Sequence, residues 1–139
     1  MRFFPFLLLL LIIVSCDTSS SLKKVDPYVF VHDNSSKIWL VEKLLKDGKD
    51  FTPMQFNAHS MIIFHQSRNA YVHRIIDFSK QNGAKCYYWM DREKNEFGFQ
   101  FTKNTWLFSI VNVSRTKLVL KPKSKSYPYT IVLVPFPEY

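Results

Sequence analysis

Few side chains in this sequence have the spacing of a reactive site. His65 and His73 flank one predicted hairpin, and Cys86 lies on the strand that follows it. Together they would form a His/His/Cys cluster of the kind that binds a metal, but they lack the short-loop or helical spacing typical of metal ligands. We therefore predict no metal site and place these histidines at the surface or rim of the fold.

The acidic residues and the glycines do not form a catalytic pattern either. Asp77, Asp91, Glu93 and Glu96 include potential carboxylate pairs, but their positions are typical of turns and solvent faces. The sequence has 3 glycines and contains no phosphate-cradling loop, nucleophile elbow or metalloprotease helix motif. We predict that the protein is not an enzyme, has no catalytic residues and carries no cofactor.

The first residues form a leader that ends in a cysteine. Arg2 supplies a positive charge, and an apolar run follows from Phe3 to Val14, interrupted only by Pro5. This run is shorter than the roughly 20 apolar residues that a membrane-spanning helix needs. A short apolar run after a basic residue is typical of a secretory signal peptide.

The leader ends in Ile13-Val14-Ser15-Cys16, which resembles the bacterial lipobox. The resemblance implies cleavage before Cys16, a diacylglycerol thioether on its sulfur and acylation of the new amino terminus. Residues 1–15 are then the signal peptide, and residues 16–35 are the lipidated cysteine followed by a flexible tether. Membrane lipid, bound through acylated Cys16, is the first expected partner.

The charge of the chain and the residue after Cys16 bear on location. In enterobacteria an aspartate at this position implies retention at the inner membrane, but other phyla do not follow that rule. Asp17 therefore does not decide between the inner and the outer membrane. We expect a cell-envelope protein on the periplasmic side of the outer membrane. The net charge of +8 favours anionic neighbours. In an envelope these are lipid head groups or acidic glycans, so we predict no nucleic-acid partner.

Residues 36–139 are predicted to form one all-β domain. Aromatic residues make up 17% of the chain, and β-branched and aromatic residues favour pleated sheet. Phe97, Phe99 and Phe101 alternate with polar or small residues, which is the period of a strand packed on one side. We predict an antiparallel up-and-down meander of about eight strands that closes into a barrel or curls strongly on itself, because an open sheet would leave two unpaired edges.

The predicted strands cover residues 38–46, 61–65, 70–78, 85–90, 96–102, 105–113, 117–121 and 129–134. Residues 38–46 also fit an amphipathic helix, because apolar residues such as Leu40 and Leu44 recur at i, i+4. The Asp47-Gly48 turn signal that follows favours a strand. Asn82-Gly83 is the clearest hairpin turn in the sequence.

Several strand motifs resemble those of the small lipocalin-like lipoproteins of Bacteroidota. They are Trp39-Leu40-Val41-Glu42-Lys43 with Asp47-Gly48-Lys49-Asp50 and Thr52-Pro53, then Thr105-Trp106, Lys117-Leu118-Val119-Leu120-Lys121 and Thr130-Ile131-Val132-Leu133-Val134. The resemblance covers residues 36–134 and implies a lipocalin-like barrel. The central Gly-x-Trp motif of that family corresponds here to Ala84 to Trp89, without the glycine. Most such proteins have no assigned activity, so the resemblance implies a fold and not a function.

Two groups of side chains are candidates for binding. The first would line the barrel interior and hold a small apolar ligand, or simply fill a small barrel. It consists of Phe97, Phe99, Phe101, Trp106 and Phe108. The second would bind an anionic surface or an acidic partner protein, or form a solvated loop and strand edge. It consists of Arg115, Lys117, Lys121, Lys123 and Lys125, near Tyr127 and Tyr129.

Together these features predict a membrane-anchored, non-catalytic lipoprotein. We expect an accessory subunit of an envelope membrane protein complex, because the domain is rich in large side chains and in lysine. The alternative is a carrier of a small apolar ligand in the barrel interior, which would need small inward residues to leave a cavity. Since lipid occupies Cys16, we expect Cys86 to be a buried, unreactive thiol.

Overall fold

A computed structural model of the chain describes residues 26–52, 60–74 and 84–137. The predicted signal peptide, Cys16, the first part of the predicted tether and the Asn82-Gly83 turn lie outside the described residues. In the part of the chain that is described, no helix has the length and apolarity needed to cross a lipid bilayer.

The described residues form one short helix and a 9-stranded antiparallel sheet. Helix α1 spans Tyr28–His32, and the strands are β1 (Ser36–Lys46), β2 (Lys49–Asp50), β3 (Ser60–His65), β4 (Asn69–Arg74), β5 (Ala84–Asp91), β6 (Glu96–Gln100), β7 (Thr105–Val113), β8 (Leu118–Pro122) and β9 (Thr130–Pro135). The short strand β2 pairs with the end of β1, and the other strands pair in chain order from β1 to β9. Because β9 also pairs with β1, the predicted all-β, up-and-down barrel is confirmed, with β2 as one extra strand.

The barrel closes through β1, which is 11 residues long and pairs with strands on both sides. Its pairing with β9 runs from Trp39 opposite Pro135 to Leu45 opposite Thr130. A shift of register at Val41 bends the strand, as an extra residue in one strand of an antiparallel pair does. Closure pairs the first long strand with the last one and so removes the edges that an open meander would leave.

Large side chains fill the barrel interior. Those that are fully buried include Trp39, Phe64, Tyr88, Phe97, Phe99, Phe108, Leu118, Leu120 and Leu133. The Phe64 ring centroid lies 4.9 Å from that of Tyr88, in an edge-to-face contact that stabilises beyond simple burial. An eight-stranded barrel is just wide enough for side chains to fill it or to hold one small ligand. In this barrel, the side chains occupy the interior.

Helix α1 covers one end of the barrel. Val31 is fully buried, and its carbonyl oxygen accepts a hydrogen bond from Trp39 Nε1 at 2.9 Å. The Tyr28 hydroxyl donates to the Met90 carbonyl oxygen at 2.9 Å and accepts from the Met90 amide at 2.7 Å. The helix is therefore fixed to the barrel by buried apolar contact and by hydrogen bonds to β1 and β5.

This arrangement corrects the prediction of a flexible tether over residues 16–35. From α1 onward, these residues belong to the folded domain, and residues 16–25 of the predicted tether lie outside the described residues. Lys37 Nζ adds a further contact by donating to the Phe30 carbonyl oxygen at 3.3 Å. A helix of 5 residues is too short to show the apolar periodicity by which helices are recognised in sequence.

The two ends of the barrel carry different elements. The helix end carries α1 and the turns at residues 66–68, 92–95 and 114–117, and the distal end carries the turn at 47–48, the turn at 101–104 and the loop at 123–129. Successive antiparallel strands reverse direction, so every second connection lies at the same end. The predicted Asp47-Gly48 turn is confirmed, with φ values of 51° and 73°.

Gly98 on β6 lies beneath the Trp89 ring of β5, on the outer face of the barrel. The two residues are cross-strand partners, and a β-carbon at position 98 would overlap the indole ring. Trp89 Nε1 also lies 3.5 Å from Glu96 Oε1, which keeps the ring over the strand. Glycine at position 98 is therefore required for the close approach of the indole ring to the backbone of β6.

Gly98→Ala is expected to destabilise the protein by about 1–3 kcal/mol, because the new methyl group displaces the indole ring. In a Trp89→Ala background, the same change should be neutral or stabilise by about 0.5–1 kcal/mol, since alanine is preferred to glycine in a strand. Urea unfolding of the four proteins measures this coupling. Equal effects of Gly98→Ala in both backgrounds would contradict the proposed packing.

His32 at the end of α1 makes stability depend on pH. Burial, followed by repulsion from the Arg68 guanidinium, lowers its pKa from the ordinary value of 6.5. Its Nδ1 accepts the Asn34 amide hydrogen at 3.0 Å, a contact that favours the neutral ring. The unfolded chain therefore binds the proton more readily than the folded protein does, and stability should fall as the pH drops below about 6.5.

We expect the urea midpoint of the protein to decrease between pH 7.5 and pH 5.5. The decrease should be smaller in His32→Gln, whose side chain does not titrate in this range. The difference between the two proteins isolates the contribution of His32 from that of the other histidines. If both proteins lose the same stability over this range, His32 does not cause the pH dependence.

Candidate functional site

Aromatic rings form a continuous series from the barrel interior to solvent at the distal end. The Phe101 and Trp106 centroids are 4.4 Å apart, and Trp106 stacks on Tyr127 at 4.0 Å with an interplanar angle of 24°. Tyr127 lies 5.3 Å from Tyr129, which lies 5.7 Å from Phe51. We call these five residues the aromatic ladder.

Three separate connections position the aromatic ladder. Phe101 begins the turn between β6 and β7, where its amide donates to the Asn104 carbonyl oxygen at 2.8 Å. Phe51 follows β2, and its amide donates to the Leu44 carbonyl oxygen at 2.7 Å, which holds it beside the end of β1. Tyr129 precedes β9, the strand that pairs with β1. Barrel closure therefore brings Phe51 and Tyr129 together across a long separation in sequence.

One member of the aromatic ladder is exposed, and the other four are partly buried. Burial raises the pKa of Tyr127, and the neighbouring Tyr129 hydroxyl adds to this shift. Phe51 at the outer end is 48% exposed, which is unusual for a large apolar side chain. The ladder therefore joins a rigid, packed base to an apolar face that is open to solvent.

Lysines lie at the same end of the barrel as the aromatic ladder. Lys46 Nζ lies 5.8 Å from the centroid of the Tyr129 ring. Lys103 is exposed in the turn after Phe101, and Lys125 is exposed in the loop before Tyr127. This combination suits a ligand or protein segment that presents both apolar groups and negative charge.

One carboxylate at the distal end is already occupied by local hydrogen bonds. Asp50 accepts hydrogen bonds from the Thr52 hydroxyl and, at 2.9 Å, from the Thr52 amide. These bonds lower the pKa of Asp50, with the hydroxyl as the larger cause. The Thr52 hydroxyl also accepts the Leu44 amide hydrogen at 3.0 Å. Asp50 thus helps to fix the chain next to Phe51.

The structure does not bring the predicted basic group into one patch. The group comprised Arg115, Lys117, Lys121, Lys123 and Lys125. Arg115 and Lys117 lie in the turn at the helix end, whereas Lys125 lies beside the aromatic ladder at the distal end. Strand β8 runs between the two ends and separates them. Lys123 lies 3.5 Å from Glu96, in an ion pair on the outer wall.

The predicted interior aromatics divide between the core and the aromatic ladder. They were Phe97, Phe99, Phe101, Trp106 and Phe108. Phe97, Phe99 and Phe108 are fully buried in the core. Phe101 and Trp106 are partly buried and form the base of the ladder at the distal end.

Sequence reasoning missed the exposed end of the ladder. It noted Tyr127 and Tyr129 only as neighbours of the basic group, and it did not single out Phe51. A large apolar residue directly after the Asp47-Gly48 hairpin was the available signal, because such a position is normally polar. The contact partner of Phe51 lies far along the chain and could not be read from local spacing.

The histidines and Cys86 do not form the cluster that was considered as a metal site. His65 and His73 flank the Tyr71 ring on the outer wall, with centroid separations of 5.4 Å and 5.9 Å. Cys86 is buried in the core, where its Sγ lies 3.6 Å from the Ala70 carbonyl oxygen. Within residues 26–52, 60–74 and 84–137, no group of three His, Cys, Asp or Glu side chains is placed to hold a metal.

An open cleft of about 580 Å³ lies at the helix end, between the start of β1 and the end of β9. Two basic residues, Lys37 and Arg115, and one acidic residue, Asp33, line this cleft. Lys37 Nζ donates to the Arg115 carbonyl oxygen at 2.9 Å and so holds the turn at residues 114–117 against β1. Phe136 contributes an apolar wall and is 40% exposed.

No protein-family model, curated protein or solved structure matches this chain. The chemistry of the two barrel ends is therefore the basis for inferring a function. The distal end combines exposed aromatic rings with lysines, and the helix end combines a mixed-charge cleft with an exposed phenylalanine.

Cys86 is expected to be unreactive in the folded protein. Burial raises its pKa to about 12, so the thiolate fraction at pH 8 is on the order of 1000-fold below that of an ordinary thiol. We expect Cys16→Ala protein to react with a thiol reagent only after denaturation. The matched control is Tyr87→Cys in a Cys16→Ala/Cys86→Ala background, since Tyr87 is 50% exposed on the same strand. Reaction of native Cys86 at the rate of this control would contradict the expectation.

Proposed function

We propose that this protein is a lipid-anchored, non-catalytic lipoprotein of the cell envelope. It acts as an accessory subunit of a membrane protein complex and contacts an acidic segment of its partner through the aromatic ladder. Cys16 carries the lipid, and the outer membrane, on its periplasmic side, is the proposed location. A relationship to the small lipocalin-like lipoproteins of Bacteroidota is part of the proposal and is supported by the closed up-and-down barrel.

The observation that carries this proposal is the aromatic ladder with its lysines. Protein interfaces are enriched in aromatic residues, and rigid aromatic anchors lose little side-chain entropy on binding. The ladder has a packed base at Trp106 and Tyr127 and an exposed end at Phe51. Lys46, Lys103 and Lys125 provide complementary charge for an acidic segment, which favours both the rate and the specificity of association.

The filled interior argues against the alternative of a carrier for a small apolar ligand. A carrier needs an apolar chamber that encloses most of the surface of the ligand. In this barrel, Phe64, Tyr88, Phe97 and Phe99 occupy the centre and contact one another. A ligand could enter only if these rings moved apart, at the cost of their packing. Binding at the exterior is therefore the better supported function.

The test is purification of a C-terminally tagged chain from native membranes in mild detergent. We expect a membrane protein to co-purify in stoichiometric amount with the unaltered chain. Lys103→Glu/Lys125→Glu should reduce its recovery by about tenfold or more, because like charges then face the acidic segment of the partner. Phe51→Ala should also reduce recovery, since the exposed ring is an anchor of the proposed interface.

Two controls make the result specific. Arg115→Glu/Lys117→Glu makes the same charge change at the helix end and should leave recovery of the partner unchanged. Tyr87→Ala removes an exposed aromatic residue from the outer wall and should also have no effect. Recovery of the lipoprotein alone, or equal loss in the distal and control variants, would refute the proposed interface. Cys16→Ala tests the lipid anchor separately, because a protein without the acylated cysteine should be released from the membrane fraction.

A further inference from the structure

We infer that the helix end of the barrel docks on the anionic head-group layer of the bilayer that holds Cys16. This inference rests on the proposed lipid anchor and goes beyond it by assigning an orientation and a lipid-contacting surface. In this orientation, the distal end with the aromatic ladder points away from the membrane. The partner of the docked surface is the head-group layer of anionic phospholipid.

The point of attachment is the first argument for this orientation. About ten residues separate Cys16 from Asp26, and at 3.3–3.6 Å per residue they span at most about 35 Å. The chain enters the domain at α1, which is fixed to the barrel by the hydrogen bonds of Tyr28 and Trp39. The proposed anchor is therefore attached to the domain at its helix end, which favours the approach of this end to the bilayer.

Exposed apolar side chains at the helix end provide the second argument. Phe136 follows β9 and is 40% exposed, and Val111 near the end of β7 is 61% exposed. Val111 lies in an open groove together with Arg92, and Phe136 lies in the cleft together with Arg115. Each exposed apolar side chain is thus adjacent to an arginine, which is the pairing expected of a surface that contacts both head groups and the acyl boundary.

Exposed positive charges at the helix end favour contact with anionic lipid, in addition to the attachment point and the exposed apolar side chains. Arg92, Arg115 and Lys117 are exposed in two neighbouring turns. Asp91 and Lys94 form an exposed ion pair with an Nζ–Oδ2 distance of 4.0 Å, and together they add no net charge to this end. Each lysine or arginine beside anionic lipid favours the docked state by about fivefold.

Negative charge at the same end limits this attraction. Asp33 lines the cleft, and Glu93 lies in the turn beside Arg92. Attraction by charge alone is therefore weak, and docking requires the local concentration that the anchor supplies. The inference accordingly predicts an orientation of the anchored protein, and it does not predict tight binding by a chain that lacks the anchor.

Energy transfer to a head-group acceptor tests the orientation in the full, acylated protein. A donor dye is attached at Thr116→Cys on the helix end or at Asn104→Cys on the distal end, while buried Cys86 remains unlabelled. The proteins are reconstituted into phosphatidylcholine vesicles with and without phosphatidylglycerol. We expect higher transfer from position 116 than from position 104 in anionic vesicles. The difference should shrink at about 1 M salt, where the screening length is roughly 3 Å.

Matched variants identify the surface. Arg92→Glu/Arg115→Glu should lower the docked population by about fivefold or more for each lost cation and should reduce the difference between the two dyes to that seen in vesicles without phosphatidylglycerol. Lys103→Glu/Lys125→Glu makes the same charge change at the distal end and should preserve the difference. Phe136→Asp should reduce the difference in energy transfer between the two dyes, as the arginine variant does. Phe51→Asp should preserve that difference, as the distal control does.

The possible failures are distinguishable. Equal transfer from both positions in a protein that still sediments with vesicles would overturn the inferred orientation and leave the lipid anchor intact. Higher transfer from position 104 would also overturn it and would assign lipid contact to the distal end. A protein that does not remain with the vesicles despite an unaltered Cys16 would refute the proposed anchor itself.

Discussion

The pairing of β1 with β9 is the interaction on which the rest of the structure depends. It converts an open meander into a barrel of fixed circumference, so the interior has a set volume that side chains must match. Phenylalanine, tyrosine, tryptophan and leucine fill that volume, so the surface that other molecules can reach is the outer wall and the two ends. The same pairing places Phe51 beside Tyr129, so the exposed aromatic surface forms only when the barrel closes.

The strand plan could be read from the sequence because its signals are local. Alternation at Phe97, Phe99 and Phe101 and the turn at Asp47-Gly48 each act within a few residues. The structure differs mainly where long-range contacts decide the outcome. Helix α1 has no periodicity of its own and exists because Val31 and Tyr28 pack against the end of the barrel. Such tertiary contacts override local propensity and are invisible without the fold.

For the same reason, the residue types of the candidate site could be predicted from the sequence, but their placement could not. The sequence showed which residue types were abundant, namely aromatics and lysines, but not how β8 would divide them between two ends. Arg115 and Lys125 appear close in sequence, yet a strand that runs along the barrel places them at opposite ends. Phe101 and Trp106 follow the inward pattern of their strands, but they lie where the barrel ends and so become part of a surface. Register and strand length, which sequence reasoning determines poorly, decided each outcome.

The attachment of α1 has a mechanical consequence. Tension applied through the amino-terminal chain reaches the barrel at the hydrogen bonds of Tyr28 and Trp39, whereas β1 is held along its length by strands on both sides. Under load, we therefore expect α1 to detach before any strand separates. Residues 26–35 then extend and add at most about 35 Å of reach. In this way, unfolding of α1 would lengthen the amino-terminal connection while the barrel stays folded.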